Sequence, residues 1–324
     1  MGKIISETQT AFLKDRFILD GPLIINELYG WIKKTGRKFL LKIDFEKAYD
    51  DVNWGFLLAV MGQMGFPDKW CLWVKGIIES ARSAVLVNGS PTFDFQCHKG
   101  LRQGDPLSPF LFLIIMEAFS CLVRKACDLG EIKDFRTVSG GPSISHLLYA
   151  DDALILGEWS KENIEKTVRL LRVFYLCSGL KINIKKSLLF GIGVDGQEAT
   201  EMANILGCKT GEFPFDYLGI KVGANMNKSC HWEPVIETVK RRLASWKANT
   251  LSMGGRLVLV KSVLASLPVY YLSLYKAPVI VINQLEKLMR NFLWAGSSEN
   301  KKMSWVAWDT VTKSKKNGGW VFLN

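Results

Sequence analysis

An α+β fold is predicted for this chain of 324 residues by three observations. Strand-length apolar runs mix with helix-spaced patterns over residues 39–222. Beyond Asn225 the pattern is helical. The apolar share of 48%, with 23% charged, is that of a globular protein rather than a disordered one. The length suits two ordinary domains, or one large domain with an appendage. Such a chain can bury a sizeable core without disulfides or metals.

The elements follow in order. Phe39-Leu40-Leu41-Lys42-Ile43 reads as a buried strand ending on Asp44. Asn53 caps a helix that Gly65 and Pro67 stop. A second helix starts near Asp68, with Trp70, Val74 and Ile77 on one face. Ser83 to Val87 and Thr92 to Cys97 flank Asn88-Gly89, the strongest short hairpin signal, in a loop lengthened by Ser90-Pro91. Ser108 caps a long apolar helix from Phe110 to about Cys127, with Pro109 at its first position. His146 to Gly157 reads as a hairpin with Asp151 and Asp152 at its tip. Ser160 caps a helix bearing Ile164, Val168, Leu171 and Phe174 or Tyr175, and Gly179 ends it. Val235, Val239, Leu243 and Trp246 define an amphipathic helix whose basic part is Lys240, Arg241, Arg242 and Lys247. Arg256 to Leu267 and Val279 to Trp294 are two more.

Composition narrows the function. The longest apolar run, Phe110 to Met116, is far short of the roughly 20 residues of a membrane span, so a soluble protein is expected. No basic–apolar–small signal opens the chain, and secretion is not expected. Seven scattered cysteines (71, 97, 121, 127, 177, 208 and 230) form no Cys-x-x-Cys pair and read as reduced intracellular thiols. His98 beside Cys97 and His231 beside Cys230 are weak zinc signals. The net charge is +11, and the 94 residues from His231 carry 14 Lys and Arg against 5 Asp and Glu. A basic segment on a near-neutral body suits a polyanion, nucleic acid being the commonest, or is simply a lysine-rich surface.

Carboxylates at the ends of apolar elements are costly unless something positive holds them. Asp44, Asp151 and Asp152 are so placed, and no Lys or Arg is near Asp151 or Asp152 in sequence. A divalent cation offsets both burial and mutual repulsion. Mg²⁺ takes one or two carboxylates plus phosphate oxygens, and a pair of such ions can clamp an in-line phosphoryl transfer. An Asp-Asp pair is also ordinary turn chemistry. The Gly-rich turn Lys99 to Pro109 leads into a helix N-terminus, a phosphate-suited end with Lys99 and Arg102 beside it, or only the start of a helix.

Three segments occur together: Lys42-Ile43-Asp44-Phe45-Glu46-Lys47-Ala48-Tyr49-Asp50, Gly100-Leu101-Arg102-Gln103-Gly104-Asp105-Pro106-Leu107-Ser108-Pro109, and Tyr149-Ala150-Asp151-Asp152. Together they resemble the reverse transcriptases of non-LTR (LINE-type) retrotransposons, most closely the plant ones. Ser178 to Ser187 is similar to the family's next palm motif, and Tyr217-Leu218-Gly219 to its primer-contacting hairpin. Gly255-Arg256-Leu257 through Pro268, then Asn291 to Trp294, resemble the stretch that follows.

The resemblance implies a polymerase palm, an antiparallel sheet backed by helices over residues 39–225, then a mainly helical thumb-like region over 226–298. It implies Asp44, Asp151 and Asp152 as catalytic, metal-binding residues, with Asp44 and Asp151 ahead of Asp152 as direct ligands. Phe45, Tyr49, Arg102, Gln103, Gly104 and Lys186 would bind nucleotide, Tyr49 screening the 2′-hydroxyl and Lys186, rather than Lys185, approaching the triphosphate. Tyr217, Leu218, Gly219, Arg241 and Arg242 would contact primer and template. Glu46 and Asp50 would hold the helix after the catalytic strand. The implied cofactor is Mg²⁺, with Mn²⁺ as alternative. The partners are an RNA template, a DNA primer and dNTP, with no membrane, and the site of action is the nucleus.

Residues 1–38 would be partial fingers, with Gln9-Thr10-Ala11-Phe12, Arg16 and Asp20 matching the end of that subdomain. Residues 299–324, with Trp305 to Trp308 and Asn317 to Trp320, would lead into a zinc-binding segment. The family's endonuclease and full fingers are not in this sequence, and a truncated chain is the expectation. Two readings stand: an RNA-directed DNA polymerase, or an inactive remnant that only binds nucleic acid. A hydrolase using the same carboxylates is a distant third.

Overall fold

The structure, a computed structural model, describes residues 1–136, 143–245, 251–295 and 303–313. The chain divides into two compact units, Met1–Leu218 and Gly219–Asn324. The sequence places a change of pattern near residue 225, and the division into compact units falls between Leu218 and Gly219.

The first unit is built on strand β1 (Lys38–Ile43), preceded by helix α1 (Asp20–Thr35). Helices α2 (Trp54–Gln63) and α3 (Asp68–Glu79) follow. The Asn53 side chain accepts from Phe56 N, so the expected cap is made. On α3 the buried residues are Val74 and Ile78, while Trp70 and Ile77 are each 43% exposed, unlike the expected face. An apolar stripe containing tryptophans does not by itself say which side meets the core.

Four short strands come next: β2 (Arg82–Ser83), β3 (Leu86–Val87), β4 (Ser90–Pro91) and β5 (Phe95–Gln96). Val87 pairs with Ser90, so Asn88-Gly89 is a two-residue turn and Ser90-Pro91 lies in the ladder rather than in the loop. Both turn residues have positive φ (51° and 84°), as the primed hairpin turn requires. Helix α4 (Ser108–Asp128) begins at Ser108 itself. Asp105, not Ser108, supplies the side-chain oxygen, accepting from Leu107 N at 2.8 Å.

Strands β6 (Phe135–Arg136) and β7 (Ser143–Ile144) pair before the hairpin of β8 (His146–Tyr149) and β9 (Asp152–Glu158). Helix α5 (Lys161–Ser178) is capped by Ser160 and ended by Gly179 in the left-handed conformation, both as expected. Phe174 turns inward and Tyr175 outward. Strand β10 (Leu188–Ile192), helix α6 (Gly196–Leu206) and strands β11 (Lys209–Thr210) and β12 (Phe215–Tyr217) complete the unit.

The main sheet has the order β11-β10-β1-β9-β8, with β1 central and antiparallel to both neighbours. Alternation along β1 gives it two faces. Phe39, Leu41 and Ile43 join the large core that includes Leu57, Phe112, Ile115, Phe119, Ile164 and Phe174 from α2, α4 and α5. Leu40 lies opposite Leu156 and Phe190 on the other face. There Phe190 meets Phe213 and Phe215, and Phe213 stacks on Tyr29 of α1 at 4.0 Å. Lys42 and Asp44 continue that second face toward the β8–β9 turn.

The second unit holds β13 (Ile220–Val222), α7 (Glu233–Ser245), α8 (Met253–Leu259), α9 (Val269–Leu272), α10 (Val279–Ala295) and α11 (Trp308–Val311). The expected helix over 256–267 is instead α8 followed by a π-type segment, Val260–Leu264. Val235, Val239 and Leu243 are buried along α7, and α7 and α10 pack together. Trp246, residues 299–302 and Asn317 to Trp320 lie outside the described residues.

Candidate nucleotidyl-transfer site

Asp44 follows β1 and is held through its backbone. Its N–H donates to Ser187 Oγ at 3.2 Å and its carbonyl accepts from Asn183 N at 2.7 Å. Phe45 bridges to Ile182, and Glu46 N donates to Lys181 O at 2.8 Å. The Glu46 carboxylate also pairs with Lys181 Nζ at 2.9 Å, which raises the Lys181 pKa. Glu46 thus ties residues 44–46 to residues 181–183 rather than supporting a helix, since residues 47–53 are turns and α2 starts only at Trp54.

Two glycines permit that loop to pack. Gly100 has φ of 87°, and a Cβ there would sit 2.5 Å from Asp50 O. Its N–H donates to Val52 O, and Leu101 N donates to Tyr49 O at 2.6 Å. Gly179 has φ of 82°, and a Cβ there would collide with Asp51 O. Only glycine combines that backbone conformation with such an approach. Tyr49 is thereby set against Phe112, stacked at 4.8 Å. Burial, then the charge of Asp151, raises the Tyr49 pKa, so the ring lies beside the acidic turn.

Asp151 is exposed in the turn, while Asp152 is half-buried and pairs with Tyr149 in the ladder, not at the tip. Ala150 holds φ of 51°, the left-handed region. The β1–β9 ladder ends with Ile43 opposite Ala153, and Asp44 and Asp152 are the residues just past that pair. Burial raises the Asp152 pKa, Lys42 opposes that rise, and Asp151 and Asp44 add to it. Lys42, whose Nζ donates to Asp216 O at 3.2 Å, is therefore the positive charge that the local sequence around Asp152 lacks.

Among the described residues, no three His, Cys, Asp or Glu side chains gather closely enough to hold a metal ion by themselves. Asp44 and Asp151, whose charges both act on Asp152, make with it a set of carboxylates of the type Mg²⁺ uses with phosphate oxygens and water. Mutual carboxylate repulsion at Asp152 is what a cation relieves, so the residues fit such an ion.

The remaining expected residues are dispersed. Arg102 donates to Ile77 O at 2.7 Å, tying down the end of α3. Gln103 is exposed and reaches Asp50 Oδ1 at 3.4 Å, and Gly104 has φ of 87° with open space where a Cβ would be. Lys185 and Lys186 are exposed. Tyr217 is buried against Gly21, its pKa raised by burial and then by Asp152. Its hydroxyl has no hydrogen-bond partner among the described residues. Leu218 and Gly219 have positive φ. Arg241 and Arg242 are exposed on α7 in the second unit.

Two residues near the turn were not singled out in the sequence for this role. Ser187 touches the Asp44 backbone. Gln9, 1% exposed, accepts from Ala150 N at 3.0 Å. Neither has a local signal, because each partner is more than a hundred residues away in sequence.

A family model of reverse transcriptases (RNA-dependent DNA polymerases) matches residues 1–222. The chain is 27% identical over 333 residues to the transposon TX1 uncharacterized 149 kDa protein of Xenopus laevis, covering 98% of this chain and 24% of that protein. It is 24% identical over 298 residues to the Drosophila melanogaster retrovirus-related Pol polyprotein from type-2 retrotransposable element R2DM, covering 88% and 27%. A solved telomerase from Candida tropicalis, in complex with the TWJ fragment of telomeric RNA, matches at TM-score 0.48 and 12% identity, over 88% of this chain and 43% of that one. The chain spans about a quarter of the length of the two curated relatives. It belongs to the reverse transcriptase family.

Proposed function

We propose that this chain carries the polymerase centre of a non-LTR, LINE-type retrotransposon protein of plant type. It would extend a DNA primer on an RNA template. The observation that carries the reading is that Asp44, just after β1, and Asp151, in the β8–β9 turn, both act by their charge on Asp152. In this reading residues 39–225 are palm and residues 226–298 thumb, and the protein acts in the nucleus.

Asp44, Asp151 and Asp152 would hold Mg²⁺, or Mn²⁺ in its place. The bound metal would neutralise phosphate charge and favour ionisation of the primer 3′-hydroxyl. Tyr49, fixed by its stack on Phe112, offers a rigid wall beside Asp151 against which a ribose 2′-hydroxyl is screened. Phe45, Gln103 and Gly104 line the nucleotide's approach. Arg102 serves it through the loop it ties to α3, and exposed Lys186 meets the triphosphate. Tyr217, Leu218 and Gly219 guide the primer, and Arg241 and Arg242 contact template and primer phosphates. Recognition of the hybrid is through backbone and shape, not sequence.

Primer extension tests this. Purified protein with an RNA template, DNA primer, dNTPs and Mg²⁺ should extend, and an Asp151→Ala, Asp152→Ala double variant should not.

The second reading, a silent nucleic-acid-binding remnant, is favoured by one observation: three carboxylates do not form a ready-made metal cluster among the described residues. Both readings predict hybrid binding that weakens steeply with salt through counterion release. Charge reversal at Arg241 and Arg242 should weaken it further. A flat salt response would remove the thumb assignment, and extension separates the two readings.

A further inference from the structure

We propose that Gln9 is a positioning residue for the Tyr149-Ala150-Asp151-Asp152 turn: its side-chain oxygen holds the Ala150 amide and so fixes the direction of Asp151. This rests on the polymerase reading above.

The turn needs such a hold. Tyr149 pairs with Asp152, leaving Ala150 and Asp151 as a two-residue loop. Such loops favour Asn-Gly because they need positive φ. Ala150 meets that need at 51°, in a region that its Cβ disfavours. Something outside the hairpin must oppose relaxation, and Gln9 is placed to do so. Its Oε1 accepts from Ala150 N and from Ala11 N, each at 3.0 Å.

The orientation of the amide is set by its partners. Both are N–H donors, so the oxygen must face them, and Nε2 is left buried with no partner among the described residues. A site that keeps this unpaired donor is using the oxygen.

The clamp is itself anchored. Gln9 bridges Leu148 in parallel, with Thr10 N donating to Leu148 O at 3.0 Å and Leu148 N to Thr8 O at 2.8 Å. Arg16 ties the same segment, donating to Gln9 O and Ser6 O at 2.5 Å and to Ile5 O at 2.7 Å. Ser6 N and Oγ both donate to buried Glu117 of α4, at 2.8 and 2.7 Å. The segment is thus fixed to β8 and α4, and Gln9 transmits that fixity to the turn.

The test uses the full chain with Gln9→Leu, which removes the acceptor, and Gln9→Glu, which keeps an oxygen in its place. Leu171→Ala, a core change away from the turn, controls for lost stability. Single-nucleotide addition is measured on an RNA-templated DNA primer well below each melting point. Gln9→Leu should lower kcat about 100-fold, with KM for dNTP and hybrid affinity within about twofold, and Gln9→Glu should recover most of that loss. An unchanged kcat, or a loss equal to that of Leu171→Ala at matched melting temperature, would overturn the proposal.

Hydrogen exchange supplies an arm that needs neither activity nor a foldable variant. The Ala150 amide should be protected in the unmutated protein, and exchange as fast as an open loop would overturn the clamp. If the unmutated protein does not extend primers, the polymerase reading fails while the exchange result still decides Gln9.

Discussion

Asp44 and Asp152 lie just past the Ile43–Ala153 pair that ends the β1–β9 ladder, close enough for the charge of Asp44 to act on Asp152. Asp152 is half-buried, and burial together with Asp151 and Asp44 outweighs the favourable effect of Lys42 and raises its pKa. A folded-state pKa above the unfolded one means the native state holds its proton longer. The group therefore costs stability as pH rises through the ordinary carboxylate range. Asp152→Asn should remove that cost and raise the melting temperature by about 2 °C at pH 8, with a smaller gain at pH 4. A lower melting temperature at pH 8 would show that the site does not strain the fold.

Lys42 carries the opposing charge. Lys42→Met should push the Asp152 pKa higher still, because the group that lowers it is gone. The acid limb of the pH–rate profile should then move to higher pH, with the alkaline limb unchanged. The rates of the two proteins measured from pH 5 to pH 9 decide this.

Gly100 and Gly104 share a φ of 87° but differ in surroundings. Gly104→Ala meets open space and should cost about 1 kcal/mol from backbone conformation alone. Gly100→Ala adds a contact at 2.5 Å from Asp50 O and should cost about 3 kcal/mol or more. Denaturant melts of the two variants give the comparison directly, and equal costs would contradict the packing described for residues 44–53.

His146 is buried and neutral, its Nε2 meeting Ser120 Oγ at 2.8 Å and Thr8 Oγ1 at 3.1 Å, and its Nδ1 meeting Ser145 Oγ at 2.8 Å. Burial, then the charge of Arg124, lowers its pKa to about 4. Below about pH 6.5 the unfolded chain binds a proton that the native state refuses, so stability falls as pH drops toward 4. The loss attributable to this residue is about 3 kcal/mol by pH 4. His146→Gln should show a shallower fall between pH 6.5 and 4, and an identical slope would remove His146 from the acid response.

The legible parts of the fold were those set by neighbours in sequence. Asn53 and Ser160 make the caps their positions imply, and Gly179 ends its helix left-handed. Asp105 replaced Ser108 as the side-chain acceptor before α4 because the helix begins at Ser108 itself, so the residue ahead of it accepts instead. The face of α3 was not legible: Val74 and Ile78 are buried, but the tryptophans that weight the pattern stay outside. In the site, the aspartates stood out through their motifs, whereas Gln9, Ser187 and the action of Lys42 on Asp152 did not. Each of these three acts on a residue more than a hundred positions away, and sheet pairing alone brings them together.

In the proposed reading, Asp44 and the Asp151-Asp152 turn form one polymerase centre. The most direct measurement is single-nucleotide addition to a DNA primer on RNA templates that differ only in the next base. The base added should follow the template in the unmutated protein, and Asp44→Asn and Asp151→Asn should each abolish addition while keeping hybrid affinity. Addition that ignores the template, or that survives either substitution, would contradict it.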